Sequence, residues 1–231
     1  MEWLAVITAA VAPGIALLVY FYLKDLYHSE PIHMVVRVFL YGVLLVFPTM
    51  VIQRAIVLGI GENSFIFAFG ITGFVEEFIK WFIVYYAIYK HTVFDEPYDG
   101  IVYAVSVSLG FATLENVIYA LLNPFSFSTL LFRAFLPVSG HALFAVVMGY
   151  YIGKAKFGDP SQERLLLFKS LAYPIFWHGL FDYILLQVKT NWIWFILPLM
   201  IYLWIQGMGR VNRANAKSPF RAVRREEEIN L

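Results

Sequence analysis

Four short stretches of an otherwise apolar chain hold residue types that do chemistry: Gly73-Phe74-Val75-Glu76-Glu77-Phe78-Ile79-Lys80-Trp81, Phe111-Ala112-Thr113-Leu114-Glu115-Asn116, Ser139-Gly140-His141 and His178-Gly179-Leu180-Phe181-Asp182. His178 and Asp182 stand i, i+4 and share one helix face, the relation that lets two side chains ligate one metal ion. His141 offers a third ligand and Glu115 a fourth, leaving an open position for water or substrate. Asp182 has an alternative role, orienting His178 from behind. Glu76 and Glu77 point about 100° apart on a helix, and Lys80 lies one turn on from both. One carboxylate therefore pairs with Lys80. The other, desolvated, suits a general base that takes a proton from water. Glu77 is favoured as base and Glu76 as the partner of Lys80, with the reverse left open.

Composition dictates the elements that must position these groups. The chain has 231 residues, 61% hydrophobic and 14% charged, with a mean hydropathy of +0.70. A soluble domain carries about 25% charged residues, so lipid must be the solvent here. At about 20 residues per crossing, the apolar runs predict an all-α, polytopic bundle of about seven transmembrane helices. They fall at roughly 3 to 23, 34 to 58, 65 to 89, 100 to 122, 128 to 153, 166 to 188 and 191 to 208. Breakers separate them at Glu30-Pro31, Gly59-Ile60-Gly61, Glu96-Pro97, Asn123-Pro124 and Gly158-Asp159-Pro160. Residues 1–209 form one membrane domain and 210–231 a basic tail. The N-terminal run lacks a basic leader and is longer than a signal-peptide core, so it reads as a retained helix. With no cysteine present, thiol nucleophiles and Cys-based zinc sites are excluded, and a metal site must use His, Asp, Glu or Asn. The small-residue pairs Gly149/Gly153 and Ser106/Gly110 read as packing positions.

Arg210, Arg213, Lys217, Arg221, Arg224 and Arg225 place the tail in the cytoplasm by the positive-inside rule. Seven crossings then put the N-terminus outside. The loops holding Lys24, Lys90, Lys154, Lys156 and Arg164 fall on the cytoplasmic side, those around Glu62 and Phe125 outside. Ionisable side chains within a bilayer cost at least about 2.5 kcal/mol on insertion scales and face the bundle interior. Measured from the outer helix ends at about 1.5 Å per residue, Glu77, Glu115, His141, His178 and Asp182 fall in one layer of the outer half. Three known intramembrane chemistries do not fit. His-Glu-x-x-His is absent, Asp182 lacks the second aspartate of an aspartyl dyad, and Ser139 with His178 as base would leave the glutamates unexplained.

These residues resemble the PrsW family of intramembrane proteases. The likeness runs from about Phe65 to Leu186, on Glu76-Glu77-x-x-Lys80, Glu96-Pro97-x-Asp99-Gly100-Ile101-Val102-Tyr103, Gly110-Phe111-Ala112-x-x-Glu115-Asn116, His141-Ala142 and His178-Gly179-x-x-Asp182. The resemblance implies a protease of the bacterial cell membrane that triggers sigma-factor signalling by making the first, site-1 cut in a membrane-spanning anti-sigma factor. A more distant similarity to CAAX-type prenyl endopeptidases implies activation of water by glutamate. There the second motif usually offers a histidine where this chain has Glu115, and the first ends in arginine rather than Lys80. Together these readings predict hydrolysis near the outer face. Glu77 activates water held by a divalent metal, zinc for preference, with His141, His178 and Glu115 or Asp182 as ligands, and Asn116 bonds the oxyanion. The expected partners are the substrate helix and the lipid bilayer, with nothing pointing to nucleic acid. Two other classes use the same polar residues: a proton- or ion-coupled transporter, and a non-catalytic sensor that holds a partner helix.

Overall fold

The computed structural model describes residues 2–61, 63–122 and 131–222. The predicted breaker Asn123-Pro124, the loop positions Glu62 and Phe125, and Arg224 and Arg225 lie outside the described residues. Seven helices follow one another: α1 (Glu2–Leu23), α2 (Ile32–Ile60), α3 (Phe74–Ile83), α4 (Asp99–Leu122), α5 (Ser139–Phe157), α6 (Glu163–Gln187) and α7 (Ile193–Asn215). No strand occurs among the described residues, and the all-α architecture is the one expected from the apolar runs.

Among the described residues, five stretches are long and apolar enough to cross a membrane: 6–23, 32–60, 99–122, 131–157 and 193–215. They differ in what surrounds them. The most apolar windows of 99–122 and 131–157 are 78% and 71% buried by protein, against 22–28% for α1, α2 and α7. The first two are therefore the centre of the bundle, and the other three turn most of their surface toward lipid. Prolines inside α1, α2, α6 and α7 (Pro13, Pro48, Pro174, Pro198) are tolerated where neighbouring helices take up the freed backbone groups.

α4 packs on α1, α2 and α5, and small residues let the backbones meet. A methyl group on Gly42 would collide with the Val107 carbonyl, one on Gly110 with that of Phe39, and one on Gly149 with that of Gly100. These contacts give the small-residue spacings a packing role. α5 packs in turn on α6 and α7.

The third predicted span is not one regular helix. Two π-helical segments, Ile66–Gly73 and Val84–Ile88, flank α3, and a third, Ala134–Val138, leads into α5. Such wide turns are rare and occur preferentially at functional sites. Here they stand immediately before Glu76-Glu77 and before His141. Asn63 opens the third stretch, its Oδ1 accepting the N–H groups of Phe65 and Ile66 at 3.0 and 3.1 Å. α7 runs on to Asn215 instead of ending near residue 208, because Asn215 docks against the α1–α2 connection. Its Oδ1 accepts the Leu26 N–H at 3.1 Å and its Nδ2 donates to the Lys24 carbonyl at 3.0 Å.

Candidate active site

Four helices bring their polar residues to one place. α3 presents Glu76 and Glu77, α4 Glu115, α5 His141 and α6 His178 with Asp182, around a cavity of about 180 Å³. Thr72, Glu76, Glu115, Arg133, Pro137, His141, Phe144, His178, Phe181, Asp182 and Leu185 line it. Glu77 and Lys80 sit behind that wall, both at 0% exposure.

Lys80 ties the cluster together. Its Nζ donates to Glu77 Oε1 at 2.9 Å, to Glu76 Oε2 at 3.3 Å and to His141 Nδ1 at 3.1 Å, and lies 4.4 Å from the centre of the Phe111 ring. The spacing of the two glutamates and the lysine made one ion pair natural, and the shorter one is with Glu77. His178 is held from both sides. Its Nδ1 meets Glu77 Oε1 at 2.9 Å, which leaves Nε2 toward the cavity, 3.5 Å from Asp182 Oδ2 and 4.0 Å from Glu76 Oε2. The Phe144 ring stacks on the imidazole, centroids 5.2 Å apart. The other histidine meets Lys80 through Nδ1 and Glu115 Oε2 through Nε2, each at 3.1 Å.

The two glutamates, adjacent in sequence, have different surroundings. Glu77 Oε2 is buried without a hydrogen-bond donor, and Oε1 is shared by Lys80 and His178. Glu76 faces the cavity, with Oε1 accepting from Gln53 Nε2 at 3.1 Å. Asp182 accepts from the Thr72 hydroxyl at 2.5 Å, and this contact depends on the π-helical Ile66–Gly73 segment that carries Thr72.

Asn116 sits apart from the cavity. Fully buried, it donates to the Ala10 carbonyl at 2.8 Å, and its Oδ1 accepts from Arg133 Nε at 2.7 Å. It thereby positions Arg133, whose guanidinium lies 3.6 Å from Glu115 Oε1 and over the Tyr119 ring at 4.0 Å. Ser139 is spent locally, its hydroxyl bonding the Phe135 carbonyl, which disfavours a serine nucleophile. Arg133, Gln53 and Thr72 were not foreseen as site residues. A signal for Arg133 existed: an arginine inside Leu131-Phe132-Arg133-Ala134-Phe135 is an intramembrane charge, and such a charge faces the bundle interior by default.

Glu76, His141 and His178 each offer a donor atom, and these atoms all lie within 4.8 Å of one another. Two ligands of one tetrahedral zinc ion stand about 3.3 Å apart. The His141–Glu115 and His178–Asp182 approaches, at 3.1 and 3.5 Å, bracket that separation. Imidazole and carboxylate donors around an open cavity thus fit a catalytic metal of borderline softness.

A family model described as PrsW family intramembrane metalloprotease matches residues 30–206. Among curated relatives, the chain is 50% identical over 220 residues to "Protease PrsW" of Geobacillus kaustophilus (strain HTA426), covering 95% of this chain and 96% of the relative. The protein of the same name from Bacillus subtilis (strain 168) is 49% identical over 213 residues, with 92% and 96% covered. That from Clostridioides difficile (strain 630) is 34% identical over 190 residues, with 79% and 78% covered. No solved structure matches the chain.

Proposed function

The chain belongs to the PrsW family of intramembrane metalloproteases and is a peptidase; from that premise we propose that it makes the first, site-1 cut in a single-pass membrane anti-sigma factor, with Glu76 as the base that activates water. The observation that carries this assignment is that Glu76, not Glu77, lines the cavity shared with Glu115, Arg133, His141, His178 and Asp182. Relative to the roles favoured from spacing, the proposal exchanges the pair. Glu77 neutralises Lys80 and fixes the tautomer of His178, and Glu76, held by Gln53 and Lys80, turns its carboxylate to the cavity.

In the reaction, Glu76 takes a proton from water as the water oxygen attacks the scissile carbonyl carbon. The carbonyl electron pair moves onto oxygen, and the oxyanion is met by the guanidinium of Arg133 from the cavity wall. Asn116 serves by holding Arg133 rather than by touching the oxyanion. Glu76 then returns its proton to the leaving nitrogen, the C–N bond breaks, and a carboxylic acid and an amine separate. His141 and His178, with Glu115 or Asp182, are the residues that would hold a divalent metal, for which zinc is the proposal. When bound, such an ion supplies Lewis acidity that acidifies water and stabilises negative charge on oxygen.

Orientation follows from charge. Asn215 bonds the connection after Lys24, and Lys156 donates to the His91 carbonyl at 3.3 Å. Pro97, Lys154, Gly158 and Lys217 line one shared surface pocket. The basic connections and the start of the tail thus gather at one end of the bundle, which the positive-inside rule makes cytoplasmic. Glu115 lies sixteen residues beyond Asp99, about 24 Å along α4 from that end. The cavity therefore sits toward the extracytoplasmic side, where a site-1 cut falls, with the N-terminus outside and the C-terminus in the cytoplasm. The test is reconstitution of the full chain in liposomes with a single-pass anti-sigma factor and mapping of the product ends. A cut on the extracytoplasmic side of the substrate helix is expected, and a cut on the cytoplasmic side would overturn the assignment.

A further inference from the structure

A second group of carboxylates converges at the other end of α4, away from the catalytic cavity. Asp25 and Glu30 come from the α1–α2 connection, Glu96 from the connection before α4, and Asp99 opens α4 itself. All four are buried, at 7%, 2%, 0% and 0% exposure. Donor oxygens of Asp25, Glu96 and Asp99 lie within 4.8 Å of one another.

What these oxygens lack is a partner. Fully buried Glu96, aimed into the cluster, has no hydrogen-bond donor on either carboxylate oxygen. One oxygen each of Asp99 and Glu30 is in the same condition, while Asp25 meets the Tyr27 backbone N–H and the Glu96 carboxyl. The second Asp99 oxygen accepts the N–H groups of Asp95 and Glu96 at 2.7 and 2.8 Å, and the second Glu30 oxygen accepts the Tyr103 hydroxyl. Among the described residues, no lysine or arginine forms an ion pair with any of the four. His28 pairs with Asp95 at the rim, at 3.5 Å. Lys156 is turned onto the Phe94 ring, 4.4 Å from its centre.

Buried carboxylates without a partner are strongly disfavoured unless they are neutralised or bind a cation. Burial first, and the charge of Glu96 second, push the Asp25 carboxyl up to about 8, the strain that a bound cation would relieve. The donor set is oxygen alone, with no imidazole or sulfur. That selects a hard ion over zinc. We propose that Asp25, Glu96 and Asp99, with Glu30 beside them, form a binding site for a hard divalent cation, Mg²⁺ or Ca²⁺, which clamps the α1–α2 connection to the start of α4.

The test uses the full chain purified in detergent, stripped with a chelator and titrated with Tb³⁺, whose luminescence Tyr103 would sensitise. Mg²⁺ and Ca²⁺ are added in separate arms as competitors, and thermal unfolding is followed with each ion and with none. Saturable luminescence displaced by one or both ions is expected, together with a rise in Tm on adding that ion. The signal should persist in His178→Ala, which separates it from the catalytic cavity. It should weaken by about tenfold or more in Glu96→Gln and Asp25→Asn, since affinity follows the count of charged ligands. Glu96→Gln should also raise the Tm of the ion-free protein, because it removes repulsion. Absence of saturable, displaceable binding to the wild-type chain would overturn the proposal whatever the variants do. So would a signal unchanged in both cluster variants, or lost in His178→Ala alone.

Discussion

Glu76→Gln and Glu77→Gln are neighbouring, isosteric changes with opposite expected consequences. At position 76 the amide keeps the shape but can accept from only one of Gln53 and Lys80, and Lys80 retains its 2.9 Å pairing with Glu77. Stability should fall by only about 1 kcal/mol, while loss of a general base lowers the rate by about 10² to 10⁴. At position 77 the change removes the negative charge that is the closest counter-ion of a lysine with 0% exposure, although the amide oxygen still accepts from His178 Nδ1. Breaking a buried pair by removing one member costs about 3 to 5 kcal/mol, and the 3.3 Å contact with Glu76 recovers only part of it. Cleavage of a reconstituted single-pass substrate, with thermal unfolding in detergent, separates the two. Glu76→Gln should be stable and inactive, and Glu77→Gln should be distinctly less stable. A well-folded Glu76→Gln protein that cleaves within tenfold of wild type would refute the assignment of the base.

Other expectations follow from the same geometry. Metal analysis of the detergent-purified chain should find about one zinc per wild-type chain and a large loss in His178→Ala, since that site needs three protein ligands; equal content in both would remove His178 from the ligand set. Arg133→Ala should lower kcat by about 10² to 10³ with little change in KM, as removal of an oxyanion donor does, while a pure KM effect would place Arg133 in substrate binding. Gly149→Val drives a side chain into the Gly100 carbonyl and should cost about 1 to 3 kcal/mol in thermal unfolding. Asp25 is raised from 3.8 to about 8 in the fold, so the native state binds more protons than the unfolded state across that window. Stability of the ion-free protein should therefore fall as pH rises from about 4 to 8, and Asp25→Asn should flatten the profile.

The helices were legible because each apolar run is long enough to declare itself, and because charges inside such runs must face inward. His178 and Asp182 were legible as a pair because i, i+4 spacing within a regular helix fixes a shared face, and they do approach to 3.5 Å. Which glutamate faces the cavity was not legible. That choice depends on the phase of the helix at residue 76, and the π-helical segment Ile66–Gly73 resets it. Contacts between distant helices were equally hidden. Gln53 reaching Glu76, Asn116 holding Arg133, and Asp25 meeting Glu96 are tertiary facts with no counterpart in local spacing.

The wide turns before Glu76 and His141 are where the site can absorb a change of chain length. A π-helical turn accommodates one residue more than an α-helical turn, so deleting a single residue between 66 and 73 would let the segment relax to regular α-helix. The lost residue and the tighter winding offset each other, and Glu76 and Glu77 would keep nearly their facing toward the cavity. The same deletion inside α4 would instead turn every later residue of that helix by about 100°. Single-residue gaps should thus be tolerated better within 66–73 and 134–138 than inside the regular helices that carry Glu115 and His178.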